Sequence, residues 1–204
     1  MSAPEAVAAA FAKDTAGFEV RVLSDAGEYK TVLFGDHGHA GFGHTMVHVY
    51  PGGVSTSGDM AHGWVFERDI EFFGRSISPR YWQEKLASTL REARAHLEFD
   101  PHVFRASVDE IAEEANVPEE ARDALRAELA ELVDSVINDR PSVDFAIDAL
   151  TDFSYEYADE CGEDRSFTLD EAYATDCESF DYHFLWTLHV LHAVANALSD
   201  HRSR

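Results

Sequence analysis

The hydrophobic period of this chain changes once, near Gly74, and that change sets its fold class. Before it, apolar and polar residues alternate. Phe18–Asp25 reads FEVRVLSD and Tyr29–Asp36 reads YKTVLFGD. Alternation sends every second side chain to one face, the pattern of a half-buried strand. A turn at Ala26-Gly27-Glu28 separates the two, so they form a hairpin. His44–Pro51 is a third strand, closed by Pro51-Gly52-Gly53. Val54–Gly58 is a weak fourth and Gly63–Arg68 a fifth. Connections this short make sequence neighbours into spatial neighbours, so an antiparallel meander is expected. A short helix over Pro4–Ala12 precedes it.

After Gly74 apolar residues recur every three to four positions. Ser78 is placed to cap a helix with Pro79 at its first position. That helix is expected to run to about Leu97, with Trp82, Leu86, Leu90 and Leu97 on one face. A second helix is expected over Ser107–Val117 with Ser107 as cap, a third over Pro118–Ile137 and a fourth over Ser142–Ala158. A loop follows. Thr168 and Glu171 have capping-box spacing for another helix. Ser179–Leu198 is strongly apolar, though broken by Asp181 and three histidines, and reads as a buried central helix. Strands first and helices after define an α+β protein: an N-terminal antiparallel sheet of about five strands packed against an α-helical C-terminal half. Without repeats or an evident linker, residues 1–204 are expected to form a single domain, strands mainly in 1–76 and helices mainly in 77–199.

Charge narrows the partners. The net charge is −23, and it is uneven. Between Ala106 and Asp181, 24 Asp/Glu stand against four Arg, whereas Asp59–Arg105 is near neutral. Such a field repels nucleic acid and anionic membranes, so neither is an expected direct partner. It suits a solubilising surface, a surface for a basic protein, or mimicry of DNA. No apolar run approaches the roughly 18 residues of a membrane span. The N-terminus lacks the basic region of a secretory signal. Cys161 and Cys177 suffice for neither a disulfide framework nor a zinc site. The expectation is a cytoplasmic protein with reduced thiols.

Two constellations could carry chemistry. The first starts in VSTSGDMAHGWVFERDIEFFGR, Val54–Arg75. Gly58 would let backbone approach a ligand, Asp59 would accept from a ribose or base, and Arg68 would pair a phosphate. Tyr81 and Trp82 would stack on a planar group with Lys85 or Arg80 beside them. His183, from the last helix, is a possible contributor. The plainer reading is a turn at Gly58-Asp59 with Trp64, Phe66, Phe72 and Phe73 in the core. There is no glycine-rich dinucleotide fingerprint and no P-loop. The second constellation is His37, His39, His44, His48 and His62 within 26 residues. With Asp36 or Asp59, the set His37, His39 and His62 could hold a metal and support phosphoester hydrolysis. No paired-histidine zinc signature accompanies it. No nucleophile elbow or catalytic Cys–His signature is recognisable either, so binding without catalysis or cofactor is the favoured reading.

Three pieces of the chain, in order, carry a resemblance. They are YPGGVSTSGDMAHGWVFERDIEFFGR (Tyr50–Arg75), ISPRYWQEKL (Ile77–Leu86) and YHFLWTLHVLHAV (Tyr182–Val194). Together they resemble a family of small accessory proteins of bacteriophages and prophages. In that family the first piece carries Gly-Asp-Met-Gly, an aromatic strand, Arg, Asp and Phe-Phe-Arg. Here Ala61 stands in place of the second glycine, and the Phe66–Phe72 interval is shorter by about a residue. The resemblance implies a viral origin rather than a particular activity. It also implies a setting, the inhibition of host defence by capturing a nucleotide signal, blocking an enzyme or mimicking DNA. The expectation is a phage-encoded counter-defence protein that captures a nucleotide-type ligand through Gly58, Asp59, Arg68, Tyr81, Trp82, Lys85 and His183. The alternatives are an acidic inhibitor of a host enzyme and a metal-dependent hydrolase. Homo-oligomerisation stays open.

Overall fold

A computed structural model describes residues 3–36, 44–60, 63–75, 78–159, 161–169 and 176–202. The chain divides into two compact units. One is Met1–Leu97 with Phe180–Arg204, the other Glu98–Ser179. The fold is α+β, as the change of period predicts.

The first unit opens with helix α1 (Ala3–Asp14) and continues through strands β1 (Glu19–Ala26), β2 (Tyr29–Gly35), β3 (Thr45–Tyr50), β4 (Gly53–Gly58) and β5 (Val65–Phe66). They pair in sequence order, each antiparallel to the next, as a meander. The register puts Val32 opposite Val22 and Val47, and Val47 opposite Thr56, so one face is buried and apolar apart from Thr45 and Thr56. Between Val22 and Ser24 the pairing slips, and the extra residue, Leu23, is turned out to solvent. A bulge of this kind re-aims side chains without ending the strand.

Helix α7 (Tyr182–Arg202) covers that face. Asp181 caps it, its carboxylate accepting from the Phe184 N–H at 2.7 Å. Phe184, Leu188, Leu191 and Val194 are buried with Val32, Phe34, Val47 and Phe66 in one cluster. Each such side chain contributes about 1.5–3 kcal/mol. Helix α7 therefore belongs with the sheet, as the central buried element its apolar sequence suggests.

The long helix expected from Pro79 to Leu97 does not form. Two short helices replace it, α2 (Pro79–Gln83) and α3 (Ser88–Glu92). The residues between them prolong the sheet instead. Leu86 bridges Phe66, Glu67 N–H donates to the Lys85 carbonyl at 2.8 Å, and Ala87 N–H donates to the Val65 carbonyl at 2.9 Å. Strand β5 otherwise exposes an unpaired edge, and pairing it outweighs continuing the helix. Arg94, with φ of 52°, then turns the chain after α3.

The second unit contains α4 (Pro101–Glu114), α5 (Glu119–Asp139), α6 (Val143–Thr151), β7 (Ser154–Ala158) and β8 (Asp164–Thr168). The chain runs out along β6 (Leu97–Phe99) and back along β9 (Glu178–Phe180), which pair. Asp181 N–H donates to the His96 carbonyl, and Asp100 N–H to the Cys177 carbonyl, each at 2.9 Å. Helix α4 starts earlier than Ser107. Its cap is Asp100, whose carboxylate accepts from the N–H groups of His102 and Val103. Phe104, Val108 and Ala112 share a core with Leu125, Leu129, Val133 and Val136 of α5. The fourth helix stops at Thr151, seven residues short of the expected Ala158. Ser154–Ala158 instead pairs with residues expected to be a loop, Tyr155 opposite Phe167. The helix expected from Thr168 to beyond Glu171 falls largely outside the described residues, and Thr168 itself closes β8. Among the described residues, no helix is long and apolar enough to cross a membrane.

Candidate functional site

The residues proposed from sequence fall into separate places. Gly58, at the end of β4, has φ of +125°, and a Cβ there would run into the His44 carbonyl oxygen. The adjacent Asp59 N–H donates to that same carbonyl at 3.2 Å. Glycine is thus required by the closeness of two strands, with no ligand invoked. His44 is fixed as well. Its Nε2 lies 2.9 Å from the Asp36 carbonyl and its ring lies against Gly35.

Arg68 follows Glu67, whose N–H binds the Lys85 carbonyl, so Arg68 and Lys85 emerge from adjoining strand segments. Lys85 Nζ stands 5.1 Å from the centre of the Tyr81 ring and 3.7 Å from Glu84. Arg68 and Arg75 both hold their guanidinium groups over Phe72, at 5.4 and 5.2 Å. These are cation–π distances. Tyr81 is exposed. Trp82 is 1% exposed and stacks on Phe73 with ring centres 3.7 Å apart, with Phe66 and Tyr81 edge-on to it. Its indole is a core group.

Strand geometry separates Asp59 from this set. β4 and β5 are antiparallel, with Val54 opposite Phe66, and Asp69 accepts from the Gly52 N–H at 2.9 Å. Arg68 is therefore level with the Gly52 end of β4, and Asp59 lies beyond the other end. Seven residues of strand span about 23 Å. The structure brings Arg68, Lys85, Tyr81, Phe72 and Arg75 into one region and leaves Gly58 and Asp59 outside it. His183 sits in the first turn of α7, partly buried, beside the Tyr182 ring at 5.6 Å.

For the metal reading, Asp36 follows β2, while His37, His39 and His62 lie outside the described residues. Among the described residues no three metal-ligating side chains converge. Two other histidines of the first unit are set by their surroundings. His192 Nδ1 lies 2.8 Å from the Phe73 carbonyl, tying α7 to the 3-10 helix Ile70–Gly74. His96 is buried, and neither ring nitrogen has a hydrogen-bond partner among the described residues. Burial, with Arg94 nearby, lowers its pKa.

Charge is concentrated in the second unit. Residues 98–179 hold 25 Asp/Glu and five Arg, a net −20 of the chain's −23. Helix α5 explains how this charge is displayed. Leu125, Leu129, Val133 and Val136 anchor one face, and Glu119, Glu120, Asp123, Glu128, Glu131, Asp134 and Asp139 are all exposed. Over 21 residues of helix that is one carboxylate per about 4.5 Å of axis. A single DNA strand carries one phosphate per about 3.4 Å. Pairing offsets little of it. Arg105 meets Asp134 at 2.5 Å, Arg126 approaches Glu113 and Asp123 at 3.7 and 3.6 Å, and Arg165 holds Asp159 and Glu163. Five arginines cannot neutralise 25 carboxylates.

Sequence reading passed over Tyr155 and Tyr157, which β7 places side by side, with ring centres 6.3 Å apart and 12° from parallel. Their signal was the alternation Phe153, Tyr155, Tyr157, a strand pattern.

No protein-family model, curated protein or solved structure matches this chain.

Proposed function

We propose that this protein is a non-enzymatic binding protein whose acidic second unit engages a basic surface that otherwise holds nucleic acid. The observation that supports it is the segregation of charge: −20 in residues 98–179 and −3 in the remainder of the chain. A charge spread for solubility alone has no reason to avoid one half of the molecule. Carboxylates on a packed helix are held at fixed spacing, so a matching array of Lys and Arg is met without ordering the acidic side first. In the setting that the resemblance implies, the partner is a host enzyme acting on nucleic acid.

The test is displacement of a labelled DNA duplex from a basic, sequence-independent DNA-binding protein, read by anisotropy. The wild-type chain releases the duplex, with an effect that weakens between 50 and 200 mM salt. Reversal of Asp123, Glu128, Glu131 and Asp134 to lysine weakens release by roughly tenfold or more. Reversal of Asp109, Asp144, Asp148 and Asp152, exposed and outside β7 and β8, gives the same net charge and changes it by less than about threefold. Asp59→Ala leaves it unchanged. Equal weakening by both reversal sets reduces the surface to bulk charge and defeats the proposal.

A second reading keeps the small planar anion. It rests on the cations held over aromatic rings, Arg68 and Arg75 at Phe72 and Lys85 at Tyr81. In this form the site is Arg68, Phe72, Arg75, Tyr81 and Lys85, without Asp59 or Trp82.

A further inference from the structure

The second unit contains a shallow, solvent-open cavity of about 550 Å³, lined by Pro118, Glu120, Ala121, Tyr155, Tyr157 and Asp159 among others. Its walls are of two chemical kinds. Two are tyrosine rings nearly parallel to each other. Tyr155 is fixed by burial and by its hydroxyl, which donates to the Ala121 carbonyl at 3.2 Å, tying β7 to the first turn of α5. Tyr157 is only partly buried. The other walls are carboxylates. Glu120 is exposed at the start of α5. Asp159 is held in place by the N–H groups of Cys161 and Glu163, at 2.9 and 3.0 Å, and by Arg165 Nε at 3.1 Å. Those hydrogen bonds favour its ionised form and lower its pKa.

We infer that this cavity receives the guanidinium of an arginine side chain from the basic partner. The inference rests on the acidic-surface reading and names the group that anchors it. A guanidinium is planar, so it can lie on a tyrosine ring, and its fork of N–H donors suits a carboxylate beside that ring. A phosphate or carboxylate ligand meets the wrong field. The N-terminus of α5 carries about half a positive charge, but Glu119 and Glu120 in its first turn outweigh it. An uncharged apolar ligand would leave the Glu120 carboxylate beside it with no partner from the ligand, whereas Asp159 already has Arg165.

The test uses the full chain and a minimal probe, N-acetyl-arginine methylamide, with the citrulline analogue as its uncharged isostere. Amide resonances are followed during titration. The arginine compound shifts Ala121, Tyr157 and Ala158 saturably, and the citrulline compound does not. Tyr157→Leu weakens the arginine compound by about fivefold. Glu120→Gln, at an exposed position that does not threaten folding, weakens it by a similar factor. Equal shifts from both compounds, shifts spread along α5 without saturation, or unchanged affinity in both variants would overturn the inference. The duplex-displacement assay reads the wider proposal separately, because its reversals spare Glu120 and Tyr157. Displacement with no arginine-selective cavity removes only the anchor. A selective cavity with no displacement removes only the acidic-surface proposal.

Discussion

Trp82→Ala, compared with Tyr81→Ala, distinguishes a core tryptophan from a ligand-stacking one. Trp82 is 1% exposed and lies flat on Phe73, with ring centres 3.7 Å apart. A buried tryptophan removes on the order of 200 Å² from water. At about 25 cal/mol per Å² that amounts to about 5 kcal/mol. The aromatic stack adds about 1 kcal/mol. Contacts already present in the unfolded chain and partial collapse of the cavity reduce the total, and measured losses for such truncations are about 3–5 kcal/mol. About 4 kcal/mol is therefore expected. Tyr81, with 36% exposure, one cation contact and one edge-on contact with Trp82 at 4.8 Å, should lose only about 1 kcal/mol. The assay is urea unfolding followed by tryptophan emission. Trp64 and Trp186 remain as probes of the same unit, in contact with Phe184 and Phe11. With a slope near 2 kcal/mol per molar urea, the midpoint of Trp82→Ala falls by about 2 M. A loss below about 1 kcal/mol for Trp82→Ala, or equal losses for the two variants, refutes the packing argument.

Two further outcomes follow from the same structure. His96 and His189 both have pKa values lowered chiefly by burial, so as pH falls below the ordinary imidazole value the unfolded chain binds protons that the native one does not. Stability should therefore fall from pH 7 to 5.5. His96→Leu should narrow that fall in parallel urea titrations, and an unchanged difference between the two pH values counts against a buried neutral imidazole. Titration calorimetry with linear and cyclic nucleotides tests the planar-anion reading: if it holds, Arg68→Ala and Lys85→Ala weaken binding and Asp59→Ala does not, whereas no heat with any nucleotide removes it.

Periodicity served well where one element faces one environment. The meander and α5 each have a dry and a wet side, and α7 is buried nearly all round, so composition alone exposes it. It failed where two elements compete for the same residues. Trp82, Leu86 and Leu90 are spaced for a helix, but Leu86 is taken by the edge of β5, a demand set some twenty residues earlier in the chain. Ser107 looked like a cap, yet it sits inside α4, where its hydroxyl accepts from the Asp176 N–H. Capping chemistry was present seven residues earlier, in Asp100 with Pro101 after it. Of the candidate site, the residues could be named but not their grouping. Gly58, Asp59 and Arg68 are close in sequence, and only the antiparallel pairing of β4 with β5 shows that the strand carries them apart. The segregation of charge was visible from the start, whereas its boundaries at Glu98 and Ser179 were not.

The pairing of β6 with β9 has a consequence for how this chain can be altered. Residues 98–179 leave and rejoin the remaining chain at neighbouring points on two hydrogen-bonded strands. Neighbouring strands lie only about 5 Å apart, so a two-residue turn could close the gap at small entropic cost. An insert with adjoining ends can be lost, gained or exchanged in one genetic step without changing the order of the sheet or the seat of α7. The acidic cargo is, in that sense, a cassette, and a shortened chain ending that hairpin in Asn-Gly would retain the meander while losing a net charge of −20.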